Sequence, residues 1–495
     1  MRFVLTHKNK YMNIKDLKPA IIWKYFDEIT KIPRPSKKEE KIVAYLVEFG
    51  KTHGLDTKKD AVGNVLITKP ATKGREHLPG VILQSHVDMV CEKNKEVEHD
   101  FEKDPIQPYI DGDWLKAKGT TLGADNGIGV AAALAVLASD DIEHGKIECL
   151  FTIDEETGLS GAKAVQQHFV TGKILLNLDS EDEGEVFIGC AGGADTVATF
   201  SYRSEPVPED YFYFKVNIEK LLGGHSGCDI HLGRANANKL LNRFLWQSAG
   251  KYALVLSQIG GGNLRNAIPR EAFAVAGIPA GDKEHISADF NVFVHQIEDE
   301  FKGIETGGMT LTLESVAAPS SVIDKKTTNL LLNALYACPH GVISMSKDIP
   351  GLVETSTNLA SVKQDENTIV VGTSQRSSTE SEKQNVLQMV EAVFLLAGAE
   401  VKHGDGYPGW KPNRDSGILK VAKKSYLELF GTEPHIKAIH AGLECGLFLE
   451  KYPSLDMISF GPTLQDVHSP GEKMLIPTVD KFWRFLLQIL KNLPG

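Results

Sequence analysis

The chain has 495 residues, 42% hydrophobic and 24% charged, with 54 basic residues against 65 acidic ones and a net charge of −11. That length exceeds what one hydrophobic core ordinarily serves, so two domains are expected, and the composition is that of an ordinary globular protein. The acidic balance, without a dense Lys/Arg stripe, argues against nucleic acid or an anionic membrane as the main partner, and no run approaches the ~20 apolar residues that span a bilayer.

The N-terminal stretch MRFVLTHKNKYMN has no apolar core of signal-peptide type, which makes the cytoplasm the expected location. Met12 is an alternative start, because Met1 to Tyr11 carry no clear periodicity. Ile14 to Phe26 and Lys38 to Phe49 have helical apolar spacing and are separated by the turn Ile32-Pro33-Arg34-Pro35-Ser36, with Ser36 as the expected cap. Val62 to Thr68 and Gly80 to Gln84 read as strands. The second runs into LQSHVDMV, Leu83 to Val90, where His86 and Asp88 are two apart and share one face. In a metal site such a pair lets one imidazole nitrogen bind the ion while the carboxylate holds the proton on the other.

A loop-rich section, Cys91 to Thr121, leads to the Gly-rich LGADNGIG around Asp125 and to Val130 to Ser139, a buried helix of Ala, Val and Leu. Glu148 to Ile153 is a strand ended by Asp154-Glu155-Glu156, and Lys173 to Leu178 one ended by Asp179. Strands alternating with helices predict a mostly parallel sheet flanked by helices, in which ligands gather beyond the carboxyl ends of the strands. The texture then changes. Strands are expected at Tyr211 to Ile218, Tyr252 to Ile259, Ala272 to Ile278, Met309 to Leu313 and Thr368 to Thr373, with helices at Ala235 to Trp246, Ala288 to Phe301, Thr327 to Ala337 and Glu382 to Ala397. This predicts an α+β domain, residues 194–404, inserted between the two parts of an α/β domain, 1–193 and 405–495. Ser416 to Phe430, Asp456 to Phe460 and Asp480 to Leu493 restore the α/β pattern, with His468 in the loop after the strand. The six cysteines, Cys91, Cys149, Cys190, Cys228, Cys338 and Cys445, form no C-x-x-C pair and read as thiols of a reducing compartment.

His86, Asp125, Glu155-Glu156, Asp179 and His468 thus all stand after apolar runs or in a Gly-rich loop. Oxygen and imidazole donors without thiolate suit zinc, with manganese or cobalt as substitutes. Five ligands hold two ions if one carboxylate is shared, and the remaining glutamate is then free to move a proton. Each member taken singly has a plainer reading. His86 fits a hydrogen-bonded core histidine, Asp125 a helix cap, Asp-Glu-Glu a solvated turn, Asp179 an acidic loop, and His468 a surface turn. The Gly-rich loop lacks the phosphate-binding G-x-x-x-x-G-K-[ST] pattern and carries an acid at its tip.

The motifs LQSHVDMV, TTLGADNGIGVA, FTIDEETGLSGA, LLNLDSED, GGHSGCDIHLGRANANKLL, GGNLRNAIPREA, HAGLECG and DVHSPGEK resemble those of the aminoacyl-histidine dipeptidases (Xaa-His dipeptidase, peptidase D), within the co-catalytic di-zinc peptidases and deacylases, from about Met12 onward. The resemblance implies two Zn²⁺ per chain, with His86, Asp125 and Asp179 as ligands of one and Glu156, His468 and the shared Asp125 as ligands of the other. Asp88 stands behind His86, and Glu155 is the general base. It implies that His225 stabilises the oxyanion, that Asn266 and Arg376 hold the substrate's C-terminal end, and that the inserted domain is a lid through which the chain forms a homodimer. His440 and Glu444 receive no role. The expected activity is hydrolysis of short unblocked dipeptides, Xaa-His dipeptides and carnosine-like substrates among them. An N-acyl amino acid deacylase or aminotripeptidase is the alternative within the group, and a non-catalytic metal- or peptide-binding protein the alternative outside it, against which the intact Glu155 argues.

Overall fold

The computed structural model of the chain describes residues 13–494, so the alternative start at Met12 lies outside the described residues. The chain divides into two compact units. The first holds the described residues up to Gly189, Pro412–Ala438 and the chain from Glu444 onward; the second holds Cys190–Lys411 and the short return Ile439–Leu443. The sequence reading has these passages at 193/194 and 404/405 and does not separate the return segment.

The first unit is built on an eight-stranded sheet of β1 (Asp56–Lys59), β2 (Val65–Lys69), β3 (Val81–His86), β4 (Ile147–Thr152), β5 (Ile174–Asn177), β6 (Glu185–Cys190), β7 (His435–Ile439) and β8 (Asp456–Ser459), in the order β1-β2-β4-β3-β5-β8-β6-β7. The four central strands, β4, β3, β5 and β8, run parallel. The flanks do not: β1 pairs antiparallel with β2, β2 with β4, and β6 with β8. The parallel sheet expected from strand–helix alternation is therefore confined to the centre. At the β1 edge the reason is local, because Asp60 accepts the amides of Val62, Gly63 and Asn64 and closes a tight turn, and so short a connection permits only antiparallel pairing.

All six residues of β3 and all six of β4 are buried, as expected of strands covered on both faces. The helix Ala124–Ala138 packs on β3 and on the helix Ala20–Ile29, and its small apolar side chains are buried almost throughout. The closing helix Ile476–Asn492 begins four residues before the sequence reading has it and buries Phe482, Phe485, Leu486 and Ile489. Each such side chain contributes about 1.5–3 kcal/mol by leaving water. A small antiparallel sheet pairs Pro108–Asp111, Trp114–Ala117, Lys473–Leu475 and Leu464–Gln465, so that residues 466–472 form a hairpin loop.

Two expectations near the N-terminus need correction. Ile14 to Phe26 is a 3₁₀ turn, Ile14–Asp16, followed by the helix Ala20–Ile29. The next helix is Glu40–Thr52 with Glu39 before it, and Ser36 does not cap it, because the Ser36 hydroxyl donates to Asp88 Oδ2 at 2.8 Å.

In the second unit the sheet has the path Thr310–Ser315, Tyr211–Glu219, Ala272–Pro279, Val255–Gly261, Val353–Gln364, Thr368–Ser377, Gly192–Ser201 and Glu400–His403, and Gly341–Met345 pairs with Val353–Gln364. Its strand pairs are antiparallel. Helices Ala237–Lys251, Lys283–Glu300, Lys325–Ala337 and Glu380–Leu396 supply Phe244, Phe290, Phe293, Leu331 and Phe394 to its core. The twelve-residue strand Val353–Gln364 has no counterpart in the sequence reading. Thr355, Ser356, Thr357 and Asn358 are all buried there, so successive residues on both faces are polar and no apolar alternation marks them.

Candidate active site

Every acid or imidazole predicted for the metal centre stands where a central strand of the first unit gives out, or in a loop beside it. His86 ends β3 and is 1% exposed, and Asp88, two residues on, is fully buried. After β4 the chain turns through Asp154, whose φ of 48° and ψ of 47° lie in the left-handed region, straight into the short helix Glu155–Gly158. Such a backbone costs an ordinary residue on the order of 1–3 kcal/mol and persists where its surroundings fix it. Here the surroundings are Asp88, which accepts the amide of Glu155 on Oδ1 (3.0 Å) and that of Glu156 on Oδ2 (3.2 Å).

Two triads result. His86 Nε2 lies 3.1 Å from Asp125 Oδ1 and 3.3 Å from Asp179 Oδ1. His468 Nε2 lies 3.1 Å from Asp125 Oδ2 and 3.0 Å from Glu156 Oε2. The two oxygens of Asp125 thus serve different histidines, and within each triad one donor atom per residue lies within 4.8 Å of the others. Glu155 groups with His86 and Glu156 by the same measure. Asp125 does not cap the helix that follows it: Asp125, at φ −80° and ψ 114°, and Asn126 are not helical, and the side chain that accepts a first-turn amide is Asn126, whose Oδ1 takes that of Gly129 at 3.1 Å. His468 sits in the hairpin loop with φ 61°.

The electrostatics are those of crowded acids. Burial alone would lower the basicity of His86, but Asp179, Asp125 and Asp88 outweigh it and hold the imidazole well above its usual range. Hydrogen bonds to Asp125 and Glu156 take His468 up to about 11. Burial opposes ionisation of Asp125, yet His468 and His86 hold its carboxyl below the usual range. Burial pushes Asp179 up to about 7 against the pull of His86. Glu155 is raised well above the carboxylate range by burial, with Asp179, Glu444 and Glu156 adding to it.

A further group of acids, Glu39, Asp88 and Asp154, is equally close and buried, but its oxygens are used internally. Glu39 Oε1 accepts from the amides of Lys37 (2.8 Å) and Asp154 (3.1 Å), and Asp154 accepts from the hydroxyls of Thr157 and Ser160.

Glu444 was left without a role by the sequence reading. It is fully buried, and its Oε2 accepts from Gln84 Nε2 (2.5 Å) and Thr152 Oγ1 (2.8 Å), groups on β3 and β4. Gln84 Oε1 in turn accepts from Asn177 on β5 (2.5 Å), and Asn177 Oδ1 from Ser459 on β8 (2.5 Å). A hydrogen-bonded chain thus crosses the four parallel strands. Its sequence signal was polar residues, Gln84, Thr152, Asn177 and Ser459, at or near the ends of mostly apolar runs.

His225, Asn266 and Arg376 belong to the second unit. His225 Nδ1 accepts the amides of Gly227 (3.2 Å) and Cys228 (3.0 Å), which leaves the ring proton on Nε2, and burial with Arg376 nearby lowers its pKa to about 4, so the ring is neutral at neutral pH. The loop of Asn266 lies alongside: the Asn266 carbonyl accepts from Ser226 N at 2.7 Å, and His225 bridges Ala267. Arg376 is 8% exposed, donates from Nη1 to Tyr407 Oη at 3.1 Å and has no partner for Nε. Ser356, its direct partner on the neighbouring strand, meets His440 Nε2 at 2.7 Å.

Buried carboxylates and imidazoles converging at the carboxyl ends of parallel strands define a hydrolase centre of metallopeptidase type. The family model of peptidase family M20/M25/M40 matches residues 82–492. The chain is 44% identical over 482 residues to the cytosol non-specific dipeptidase of Escherichia coli (strain K12), covering 97% of this chain and 99% of that one. The crystal structure of the aminoacylhistidine dipeptidase from Vibrio alginolyticus is 47% identical, with a TM-score of 0.91 over 98% of this chain and 99% of that one. Aminopeptidase PepT from Bacillus cereus ATCC 10987, 18% identical over 96% of this chain and 99% of that one with a TM-score of 0.61, shares the fold. The chain belongs to peptidase family M20/M25/M40. It is an enzyme, a hydrolase that cleaves peptide bonds.

Proposed function

We propose that this dipeptidase of the M20 family works with two divalent ions, zinc in the first place and manganese or cobalt as substitutes, on short unblocked dipeptides that include Xaa-His and carnosine-like substrates. The observation that carries the reading is the division of Asp125, one oxygen toward His86 and the other toward His468. The donors fit such ions. In each triad a single imidazole nitrogen approaches two carboxylate oxygens, more than one N–H can satisfy, and the buried Glu156 Oε1 has no hydrogen-bond partner. His86, Asp125 and Asp179 would hold one ion and Asp125, Glu156 and His468 the other, a hard and borderline donor set without thiolate.

Bound there, the ions supply Lewis acidity, polarising the scissile carbonyl and making water a nucleophile near neutral pH. The protein's residues do the rest. Glu155 takes a proton from the attacking water and delivers it to the leaving amine, a task its raised basicity suits. Asp88 sets the ring orientation of His86 from 3.3 Å behind it. His225, neutral and protonated on Nε2, donates to the carbonyl oxygen as it gains charge. Arg376 and Asn266 hold the substrate's carboxylate, the guanidinium by paired N–H groups.

The preference for dipeptides is supported by the named activities of the two full-length relatives. Residence in the cytosol is supported by the E. coli relative's printed name; no helix among the described residues is long and apolar enough to cross a membrane. A homodimer through the second unit is supported by the exposed Met389, Leu395 and Leu396 on one of its helices. Metal-free protein titrated with Zn²⁺ and assayed on Xaa-His dipeptides, tripeptides and N-acetyl amino acids tests the reading. Dipeptide hydrolysis that rises to a maximum at two ions per chain is expected. Hydrolysis of the N-acetyl amino acids to acetate and the free amino acid, with the dipeptides left intact, would move the chain to the deacylases, and binding of dipeptide without release of amino acids would make it a binding protein.

A further inference from the structure

The loop that presents Asp125 is held by a carboxylate from far along the chain. Glu472, 2% exposed, accepts on Oε2 the amides of Leu122 (2.7 Å) and Gly123 (2.9 Å), and on Oε1 those of Ala124 (2.7 Å) and Asp125 (3.4 Å). Four successive N–H groups thus converge on one side chain, a charge-assisted arrangement about twice as strong per bond as one between neutral groups. From the other side the buried guanidinium of Arg34 donates to the Gly123 carbonyl (2.5 Å) and to the carbonyls of Val87 (2.9 Å) and Asp88 (2.9 Å), the strand end that carries His86. Position 123 favours glycine. Its φ is 66°, and a Cβ there would stand 2.5 Å from Arg34 Nη2 and 2.8 Å from Met89 Sδ.

Glu472 also belongs to the element that carries His468. Both lie in the hairpin loop 466–472, closed by the pairs Leu464 with Met474 and Gln465 with Lys473 and braced by Lys473 against Lys116. One carboxylate in the His468 loop therefore grips the backbone of the Asp125 loop, and the two side chains so related meet at 3.1 Å.

We propose that Glu472 is a positioning residue that locks the Asp125 and His468 loops together and thereby sets the affinity of the ion those two residues share with Glu156. It touches neither substrate nor ion. An outer hydrogen bond of this kind, when removed, weakens metal binding about 10- to 100-fold. The inference rests on the two-ion reading above.

Two variants and one matched control test it. Glu472→Gln keeps the shape but turns an amino group toward two of the four amides; Glu472→Asp keeps the charge but withdraws it by one methylene. Glu148→Gln is the control. Glu148 is 1% exposed and accepts the amides of Thr171 (2.7 Å) and Gly172 (2.8 Å), the same kind of buried carboxylate at the opposite end of β4. Full-length protein stripped of metal is titrated with Zn²⁺ against a chromophoric chelator, and its fold is followed by circular dichroism and thermal unfolding. The expected result is two ions for the wild type, with the weaker-bound ion released about tenfold or more readily in both Glu472 variants. Their turnover returns at excess Zn²⁺ with KM unchanged, and Glu148→Gln, although less stable, binds both ions as the wild type does. If the wild type takes up fewer than two ions, the two-ion reading falls and this inference with it. If it takes up two and both Glu472 variants match it, only the role of Glu472 is overturned. Failure of both variants to fold without metal also overturns it, by making Glu472 a folding residue.

Discussion

Asp88 Oδ1 accepts the backbone amide of Glu155 at 3.0 Å while lying 3.3 Å from His86 Nδ1, so one carboxylate fixes both a strand-end imidazole and the start of the helix that carries two glutamates. Asp88→Asn keeps a carbonyl oxygen for one amide but removes the charge behind His86 and sets an amino group against Ser36 or the Glu156 amide. Zn²⁺ affinity is expected to fall about 10- to 100-fold, and activity at limiting metal with it. Chelator competition measures the first and initial rates the second. An affinity equal to wild type would remove Asp88 from the orientation of His86.

Glu155→Ala separates proton transfer from metal binding. Glu155 contributes no donor to either of the two triads that share Asp125. Turnover is expected to fall by about 10²- to 10⁴-fold, the range of a lost general base, while zinc content measured by atomic absorption stays near wild type. Normal turnover in this variant would give the proton transfer to another group.

Glu444 makes stability depend on pH in a specific direction. Burial raises its pKa to about 8 from 4.5, so between those values the folded, metal-free protein keeps a proton that the unfolded chain gives up. The folded state therefore binds more protons there, and this group's contribution to stability declines as pH rises from 4.5 to 8. Glu444→Gln, which stays neutral and can still accept from Gln84 and Thr152, is expected to gain on the wild type by on the order of 2 kcal/mol over that window. Denaturant unfolding of both metal-free proteins at pH 5 and pH 8 checks it. A constant difference between them would mean that Glu444 is ionised in the fold.

Gly227 sits where His440 passes. A Cβ at that position would stand 2.3 Å from the His440 carbonyl oxygen, and the same residue's amide donates to His225 Nδ1. Gly227→Ala is expected to cost about 1–3 kcal/mol of stability, as overpacking does, and to lower kcat more than KM by displacing His225. Thermal unfolding and steady-state kinetics read the two effects. A variant with wild-type kcat would detach the Gly227 turn from the placing of His225.

The candidate site was legible where its residues follow a local pattern. Buried parallel strands read as mostly apolar runs, so the groups at which they give out, His86, Glu155 with Glu156, and Asp179, stand out in the sequence. The antiparallel flanks of the sheet and the strand Val353–Gln364 were not legible. An edge follows from how the chain is connected, and a strand polar on both faces has no period to detect.

The sequence by itself determined which residue types stand at the strand ends, and hence the donors available to a metal. Only the tertiary structure decided how they are divided and held. Asp125 turns one oxygen to each histidine, Ser36 serves Asp88 and not its own helix, and Glu472 reaches the Asp125 loop across about 350 residues. These relationships join groups with no periodic relation along the chain. They arise when the sheet brings its carboxyl ends together and each buried donor or acceptor must find a partner.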